Sequence, residues 1–92
     1  MRRKEILEAA EKCVCGDRDK QYGSPENSFK LIAQLWSVYL ERHVTPRDVA
    51  AMMGLMKIAR IRAGKKDDNW IDLAGYAACG GEIDDQKSKT AS

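Results

Sequence analysis

Eight consecutive residues, Val49 to Met56, carry no polar side chain, and this run limits the folds open to the chain. Thr45-Pro46 before the run can cap a helix and place proline in its first turn, and Gly64 after it can end one. A helix that is apolar nearly all round is expected to be buried centrally or between subunits. Three methionines in the run favour adaptable core packing over a promiscuous binding groove.

Helical periodicity extends over most of the chain, whereas the alternation expected of strands is nowhere sustained. The sequence therefore predicts an all-α fold, a bundle of four helices. The predicted helices run from about Arg3 to Cys15 with an end at Gly16, from Ser24-Pro25-Glu26 onward, from Thr45 to about Arg62, and from Asp67 or Asp68 to Gly80-Gly81. The predicted buried faces comprise Ile6, Leu7, Ala10 and Val14 in the first helix and Phe29, Ile32, Leu35, Trp36 and Tyr39 in the second.

The length of 92 residues fits one small domain, predicted over residues 1–83, followed by a flexible polar tail over residues 84–92. Because so small a helical core buries a limited surface, we expect the chain to self-associate as a homo-oligomer. Sixteen Lys and Arg against fourteen Asp and Glu give a net charge of only +2. This charge argues against duplex nucleic acid as a partner but leaves small phosphorylated ligands open.

Cysteine usage and hydropathy bear on the compartment. The three cysteines are an odd number, and the chain shows neither a signal-type leader nor an apolar run long enough for a membrane helix. We therefore expect a reduced, cytoplasmic protein without a membrane partner. Cys13 and Cys15 are spaced too closely for an ordinary zinc pair, and His43 is the only histidine, so a zinc site is not expected.

Asp72 lies in a stretch of the predicted fourth helix that is otherwise apolar or small. Asp68 stands four residues before it and Tyr76 four residues after it, so a helix places all three on one face. An ionised carboxylate that faces an apolar interior needs a cation, a donor network or a metal ion. The predicted partner is therefore Lys57 or Arg60 in a structural ion pair, or a metal ion.

Asp48 is a second candidate for a buried carboxylate. At about 100° per residue, it projects on what we take to be the inward side of the third helix, together with Met52, Leu55 and Ala59. Lys57 falls on the opposite side and Arg60 between, so one ligand cannot easily meet Asp48 and Lys57 within one subunit. The alternative role for Asp48 is a capping box with Thr45, which stands three residues earlier.

The other candidate residues also have structural alternatives. Asp68 can be a plain N-cap, and Lys57 and Arg60 can be solvated or snorkelling side chains. Trp70 and Tyr76 can be core residues with a satisfied polar tip rather than stacking platforms for a base. The residues alone leave these alternatives open.

Several motifs carry a resemblance to known proteins. They are Asp48 on an apolar helix, Lys57-Ile58-Ala59-Arg60 and the segment Asp68 to Ala77, preceded by Tyr22-Gly23 and Leu35-Trp36. Over about residues 6–83, the chain resembles a family of small phage and prophage proteins of unassigned function. The third and fourth helices in turn resemble the all-α, MazG-like nucleotide pyrophosphohydrolases. In the MazG pattern, Glu-x-x-Glu on one helix faces Glu-x-x-Asp on another, and these carboxylates hold magnesium against the phosphates.

The MazG resemblance implies a magnesium-dependent nucleoside triphosphate pyrophosphohydrolase with a MazG-like bundle. Its pattern is eroded here, because Ala51 replaces the second carboxylate after Asp48, and Asp68 and Asp72 are four residues apart rather than three. The implied roles are Asp48, Asp68 and Asp72 as metal ligands, with Asp48, Asp72 and the water-orienting Glu82 in catalysis. Lys57 and Arg60 would face the phosphates, Lys57, Arg60 or Lys66 would stabilise the departing pyrophosphate, and Tyr76 and Trp70 would line the base or sugar.

Two other functions remain open from the sequence. The first is a non-catalytic binder that sequesters a nucleotide, such as a cyclic signalling nucleotide made by the defence of a bacterial host against phage. Ala51 favours this binder. The second is an oligomeric protein-interaction module in which Asp72 pairs with Lys57 or Arg60 across a subunit boundary. Direct DNA binding is not expected, because Thr45 to Gly64 is too apolar for an exposed reading helix.

Overall fold

A computed structural model describes residues 1–17 and 25–91, with side chains for residues 1–16 and 27–85. It contains four α-helices, namely α1 (Arg3–Lys12), α2 (Pro25–Leu40), α3 (Pro46–Ala63) and α4 (Asp67–Ala91), and a π-helical turn, Cys13–Asp17, that follows α1. These residues include no strand, so the predicted all-α class is confirmed. Within them, no helix is both long and apolar enough to cross a bilayer. The predicted Ser24 cap and the Tyr22-Gly23 motif lie outside the described residues.

The fourth helix is longer than the sequence indicates. Its predicted end at Gly80-Gly81 is wrong, because α4 continues to Ala91. A Cβ atom on Gly80 would lie only 3.1 Å from the Cβ of Ala50, so this glycine permits close packing of α3 rather than ending a helix. The helix begins at Asp67, which places Asp68 in its first turn and not at the cap. The flexible tail over residues 84–92 stays a prediction, and the side chains of residues 86–92 lie outside the described residues.

The hydrophobic core is formed by α2, α3 and α4. Helix α1 and the π-helical turn that follows it pack against α4. Phe29 and Val49 are its most deeply buried side chains, and burial of each contributes about 1.5–3 kcal/mol. Val14 packs against this core, and its Cγ1 would lie 3.0 Å from a Cβ on Gly75. The buried cluster comprises Phe29, Ala33, Val44, Val49, Ala50, Cys79 and Ile83.

Two predicted buried faces are partly wrong. On α2, Phe29, Ala33 and Trp36 face the core at helical spacing, whereas Leu35 and Tyr39 are exposed. Leu35 stands two residues from Ala33, which turns its side chain away from the core. On α1, Leu7 is also exposed, and Ala10 is the buried residue.

The third helix is only half buried in the single chain, so its predicted burial on all sides is wrong there. Val49, Ala50 and Gly54 face the core, whereas the side that carries Leu55 is open to solvent. Asp48 projects on that open side, which corrects its predicted inward direction. Burial of this side between subunits stays a prediction.

The turn between α2 and α3 is held by Ser37 and Glu41. The Ser37 hydroxyl donates to the carbonyl of Ala33 at 2.7 Å and accepts from the backbone N–H of Val44 at 2.8 Å. Glu41 has a φ of 55°, and the N–H of Arg42 donates to the carbonyl of Ser37 at 3.2 Å. This pattern is a Schellman motif, in which glycine is the preferred residue at the left-handed position.

Glu41→Gly is expected to raise the free energy of unfolding by about 0.5 kcal/mol, because the cost of a Cβ in this conformation exceeds the extra backbone entropy of glycine. Urea unfolding of wild type and variant measures the difference. Glu41→Ala is the matched control, since it removes the same carboxylate but keeps the Cβ. An equal rise in both variants would assign the effect to charge and contradict the conformational argument.

The start of α3 is a capping box formed by Thr45 and Asp48. The N–H of Thr45 donates to Oδ2 of Asp48 at 2.9 Å, and the N–H of Asp48 donates to Oγ1 of Thr45 at 3.1 Å. The structural alternative for Asp48 is therefore confirmed. The bond from the Thr45 N–H, aided by the Thr45 side chain, holds the pKa of Asp48 below its ordinary value.

Asp48→Ala is expected to lower the free energy of unfolding by about 1 kcal/mol at neutral pH and low salt, because the capping box is lost. The folded pKa of Asp48 is depressed, so its contribution is complete above the ordinary carboxyl pKa of about 4 and is lost as pH falls through the folded value. Urea unfolding at stepwise lower pH measures this. A difference that stays constant down to about pH 3 would contradict a role for the ionised carboxylate.

Candidate functional site

A cleft of about 540 Å³ lies between the C-terminal end of α3 and the first turns of α4. We refer to it as the basic cleft, because four basic and two acidic side chains line it. Its lining residues are Lys57, Arg60, Ala63, Gly64, Lys65, Lys66, Asp68, Asn69 and Asp72.

An ion pair between α3 and α4 forms one wall of the basic cleft. Nζ of Lys57 lies 2.7 Å from Oδ2 of Asp72 within one chain. Lys57 is the buried member, whereas the Asp72 side chain is 40% exposed. The predicted Lys57–Asp72 pair is thus confirmed, with the burial reversed: the Lys57 side chain is buried and its charge requires the carboxylate. No second subunit is needed for this pair.

Lys57 is buried because of its register on α3. It stands eight residues after Val49 and four after Met53, on the side of the helix that packs against the core. The Lys57 side chain is therefore buried, and it lines the cleft where its Nζ contacts Asp72. Of the two alternatives predicted for Lys57, a solvated side chain is wrong, because Lys57 is buried.

The backbone fixes both ends of the short connection that carries the remaining basic residues. The N–H of Gly64 donates to the carbonyl of Arg60 at 3.2 Å, which closes the last turn of α3. The N–H of Asn69 donates to the carbonyl of Lys66 at 3.2 Å, at the start of α4. These bonds hold the backbone of Arg60 and Lys66 at two sides of the basic cleft. The side chains of both residues are exposed.

Two polar lining residues, Lys65 and Asn69, are not among the residues predicted for the site. Asn69 is 8% exposed and stands three residues before Asp72, so both lie on the face of α4 that borders the cleft. This i, i+3 relation to Asp72 was the available signal in the sequence. Lys65 precedes Lys66 in the connection, and the doublet was the signal for it.

Trp70 borders a second hollow of about 480 Å³ on another side of the same connection. This hollow shares Gly64, Lys65 and Lys66 with the basic cleft. Trp70 is 49% exposed, so its indole is not a core residue. An exposed indole beside two lysines offers a flat apolar surface next to positive charge.

Two other predicted site residues lie away from the basic cleft. Glu82 is exposed on α4, ten residues after Asp72, which is about 15 Å along the helix axis. Tyr76 packs against the core, with its ring centroid 6.4 Å from that of Phe29. The core alternative for Tyr76 is therefore confirmed, and neither residue meets the cleft lining.

The three aspartates predicted as metal ligands are not brought together. Among the described side chains, no group of three His, Cys, Asp or Glu residues is placed to hold a metal ion. Asp68 and Asp72 line the basic cleft, but an Asp72 oxygen is already bound by Lys57. Asp48 stands nine residues before Lys57 on α3, about 14 Å along the axis, and its carboxylate caps that helix. One chain therefore does not fit the predicted shared site, and magnesium as a cofactor stays a prediction.

Two curated phage proteins are similar to this chain. The Gene 55 protein of Mycobacterium phage D29 is 49% identical over 75 residues, which are 80% of this chain and 50% of that protein. The Gene 55 protein of Mycobacterium phage L5 is 45% identical over 75 residues, 78% of this chain and 47% of that protein. The chain thus spans about half the length of the curated relatives it matches.

No solved structure matches the chain. A family model described as a domain of unknown function, DUF6378, matches residues 5–84, which include most of each helix and the whole basic cleft. The predicted resemblance to small phage proteins is confirmed by the two relatives. The chain therefore belongs to the DUF6378 family.

Proposed function

We propose that this protein binds a phosphorylated small molecule of the nucleotide class in the basic cleft and holds it without cleaving it. The observation that carries the proposal is the buried Lys57 side chain, whose Nζ lies 2.7 Å from Asp72 in a cleft that three more basic side chains line. A positioned cation with further cations around it is the arrangement that binds phosphate oxygens.

The basic residues offer complementary ways to bind phosphate. Arg60 presents a planar guanidinium that can donate two parallel hydrogen bonds to one phosphate, whereas Lys65 and Lys66 act as point charges on flexible stems. Lys57 has an ammonium group with three donors, of which Asp72 takes one. The remaining donors of Lys57 can bind an anion without breaking the ion pair.

The hollow beside Trp70 supports a nucleotide rather than inorganic phosphate as the ligand. Lys65 and Lys66 line both this hollow and the basic cleft. A ligand with a phosphate in the cleft can therefore extend past the lysines and stack its base on the exposed indole. Stacking of a base on an aromatic side chain is worth about 1–3 kcal/mol.

The state of the carboxylates supports binding over magnesium-dependent hydrolysis. The charge of Asp72 is offset by Lys57, and Asp48 is used as a helix cap at the far end of α3. Asp68 is the other carboxylate that lines the cleft. A phosphate that enters this cleft meets cations directly, so its charge can be neutralised without a metal ion.

The phage relatives agree with a sequestering role. Two proteins similar to this chain occur in Mycobacterium phages. A phage protein that binds a nucleotide without consuming it lowers the free concentration of that nucleotide in the host. Cyclic signalling nucleotides of host defence are ligands for which this mode of action suffices.

A magnesium-dependent pyrophosphohydrolase of the MazG-like kind is the second candidate. The observation in its favour is that Asp68 and Asp72 border the same cleft as the basic residues. Two protein carboxylates can hold magnesium when substrate phosphates and water complete the coordination. In this candidate the metal would be held against the phosphates and would offset their charge.

Arg60→Gln is expected to weaken nucleotide binding at least tenfold, because a charge-assisted hydrogen bond to phosphate contributes about 1.5–3 kcal/mol. Titration calorimetry with a panel of nucleoside triphosphates, cyclic mononucleotides and cyclic dinucleotides measures the affinity, and mass spectrometry of the recovered ligand detects cleavage. Lys30→Gln is the control, since Lys30 is an exposed cation on α2 away from the cleft. Equal loss in both variants, or no binding by wild type, would remove the proposal.

Asp72→Asn separates the two candidates by the sign of its effect. In a metal-free binder, removal of this carboxylate makes the cleft more positive, so affinity in the presence of a chelator is expected to stay or to rise by up to about tenfold. In a hydrolase, the same change removes a magnesium ligand and abolishes pyrophosphate release. Lys57 loses its partner, so circular dichroism must first establish that the variant is folded. Loss of chelator-resistant binding in a folded variant would contradict the binder.

A further inference from the structure

The side of α3 that faces away from the basic cleft carries an apolar surface that the chain itself leaves exposed. We refer to it as the outer stripe, and it consists of Asp48, Met52, Leu55, Ala59 and Arg62. Leu55, at its centre, is 63% exposed. A surface of this kind on a helix with no polar residue in its middle is typical of an interaction site.

The outer stripe has an internal symmetry of charge. Asp48, Leu55 and Arg62 are seven residues apart, so they lie nearly in line along the helix. The acidic Asp48 lies at one end of the outer stripe, the basic Arg62 lies at the other end, and the apolar Leu55 lies midway between them. When two such helices pair in antiparallel orientation about Leu55, each Asp48 meets the Arg62 of the other copy.

A groove lies beside the outer stripe and can accommodate the protruding side chains of a second copy. This groove, of about 310 Å³, runs between α3 and α4, with Leu55 and Ile58 on one wall and Leu73 on the other. Its lining includes Gly54 and Gly80, which provide no side chains to fill it. Protruding side chains and an apolar groove thus adjoin on one surface, which is the requirement for a self-complementary interface with two-fold symmetry.

We propose that two copies of the chain pair through the outer stripe, with antiparallel α3 helices, Leu55 on the two-fold axis and each Asp48 beside the partner's Arg62. This assembly goes beyond the proposed ligand function, because the stripe and Lys57 occupy opposite sides of α3. The occupant is a second copy because the surface supplies its own counter-charges in the required order.

A second exposed apolar row, on α2, lacks this charge symmetry. It consists of Leu31, Leu35 and Val38. Seven residues before Leu35 stands Ser28, and the seventh residue after it, Arg42, lies beyond the end of α2, so antiparallel pairing about Leu35 brings no carboxylate opposite a base at this spacing. The α2 row therefore serves as the comparison surface for the experiment.

Leu55→Glu tests the proposal, because it brings two carboxylates together on the axis. Sedimentation velocity of wild type is expected to give twice the chain mass of 10.3 kDa, and the variant is expected to dissociate with an affinity loss of at least about 100-fold. Leu35→Glu is the matched control at 60% exposure, and it should leave the dimer intact. Circular dichroism establishes that both variants are folded. Monomeric wild type, or dissociation by Leu35→Glu and not by Leu55→Glu, would overturn the proposal.

A cross-link tests the register separately. With the exposed Cys13 and Cys15 replaced by serine, Leu55→Cys is expected to form a disulfide-linked dimer on mild oxidation, since a residue on the axis meets its own copy. Met52→Cys stands off the axis and should not cross-link to itself. Arg62→Glu is expected to weaken the dimer by at least about tenfold, and Arg62→Lys to preserve it. Cross-linking through Met52→Cys instead of Leu55→Cys would contradict the stated register.

Discussion

The close contact between α3 and α4 is the constraint on which the rest of the structure depends. Gly80 allows Ala50 to approach the backbone of α4, and the Leu73 side chain closes over Gly54. With the two helices in this register, Lys57 on α3 meets Asp72 on α4 at 2.7 Å. The same contact determines which side of α3 remains exposed. A larger residue at position 80 would therefore disturb the core, the ion pair and the outer stripe together.

The sequence predicted the helices better than their orientation. The start of a helix is specified by neighbouring residues. The capping box of Thr45 and Asp48, which is one of the two roles predicted for Asp48, is present in the structure. The orientation of α3 was not readable, because a helix that is apolar nearly all round has no polar side to mark the solvent. The predicted inward direction of Asp48 is wrong for this reason. The sequence also predicts a helix end at Gly80, since a glycine that ends a helix and one that admits a neighbouring helix look alike in a sequence.

The candidate site could be predicted only in part, because its geometry also depends on how the helices pack. Asp72 on a helix of small and apolar residues required a partner, and Lys57 was one of the two basic residues predicted for that role. Which member of the pair is buried depends on the tertiary register of α3, and no local pattern encodes it. The contribution of Lys65 depends on how the connection turns between two helix ends, which spacing along the chain does not reveal.

The basic cleft and the outer stripe lie on opposite sides of α3, and this arrangement determines whether ligand binding and dimer assembly affect each other. The basic cleft lies within one chain, so each copy in a dimer would carry its own cleft. In a dimer paired through Leu55, the two clefts would face away from each other, with both α3 helices between them. A ligand then makes no contact with the second copy, and coupling between the sites requires a movement of α3 itself. Because α3 is anchored to α4 by glycine contacts and by the Lys57–Asp72 pair, the two sites should bind independently, with two ligands per dimer.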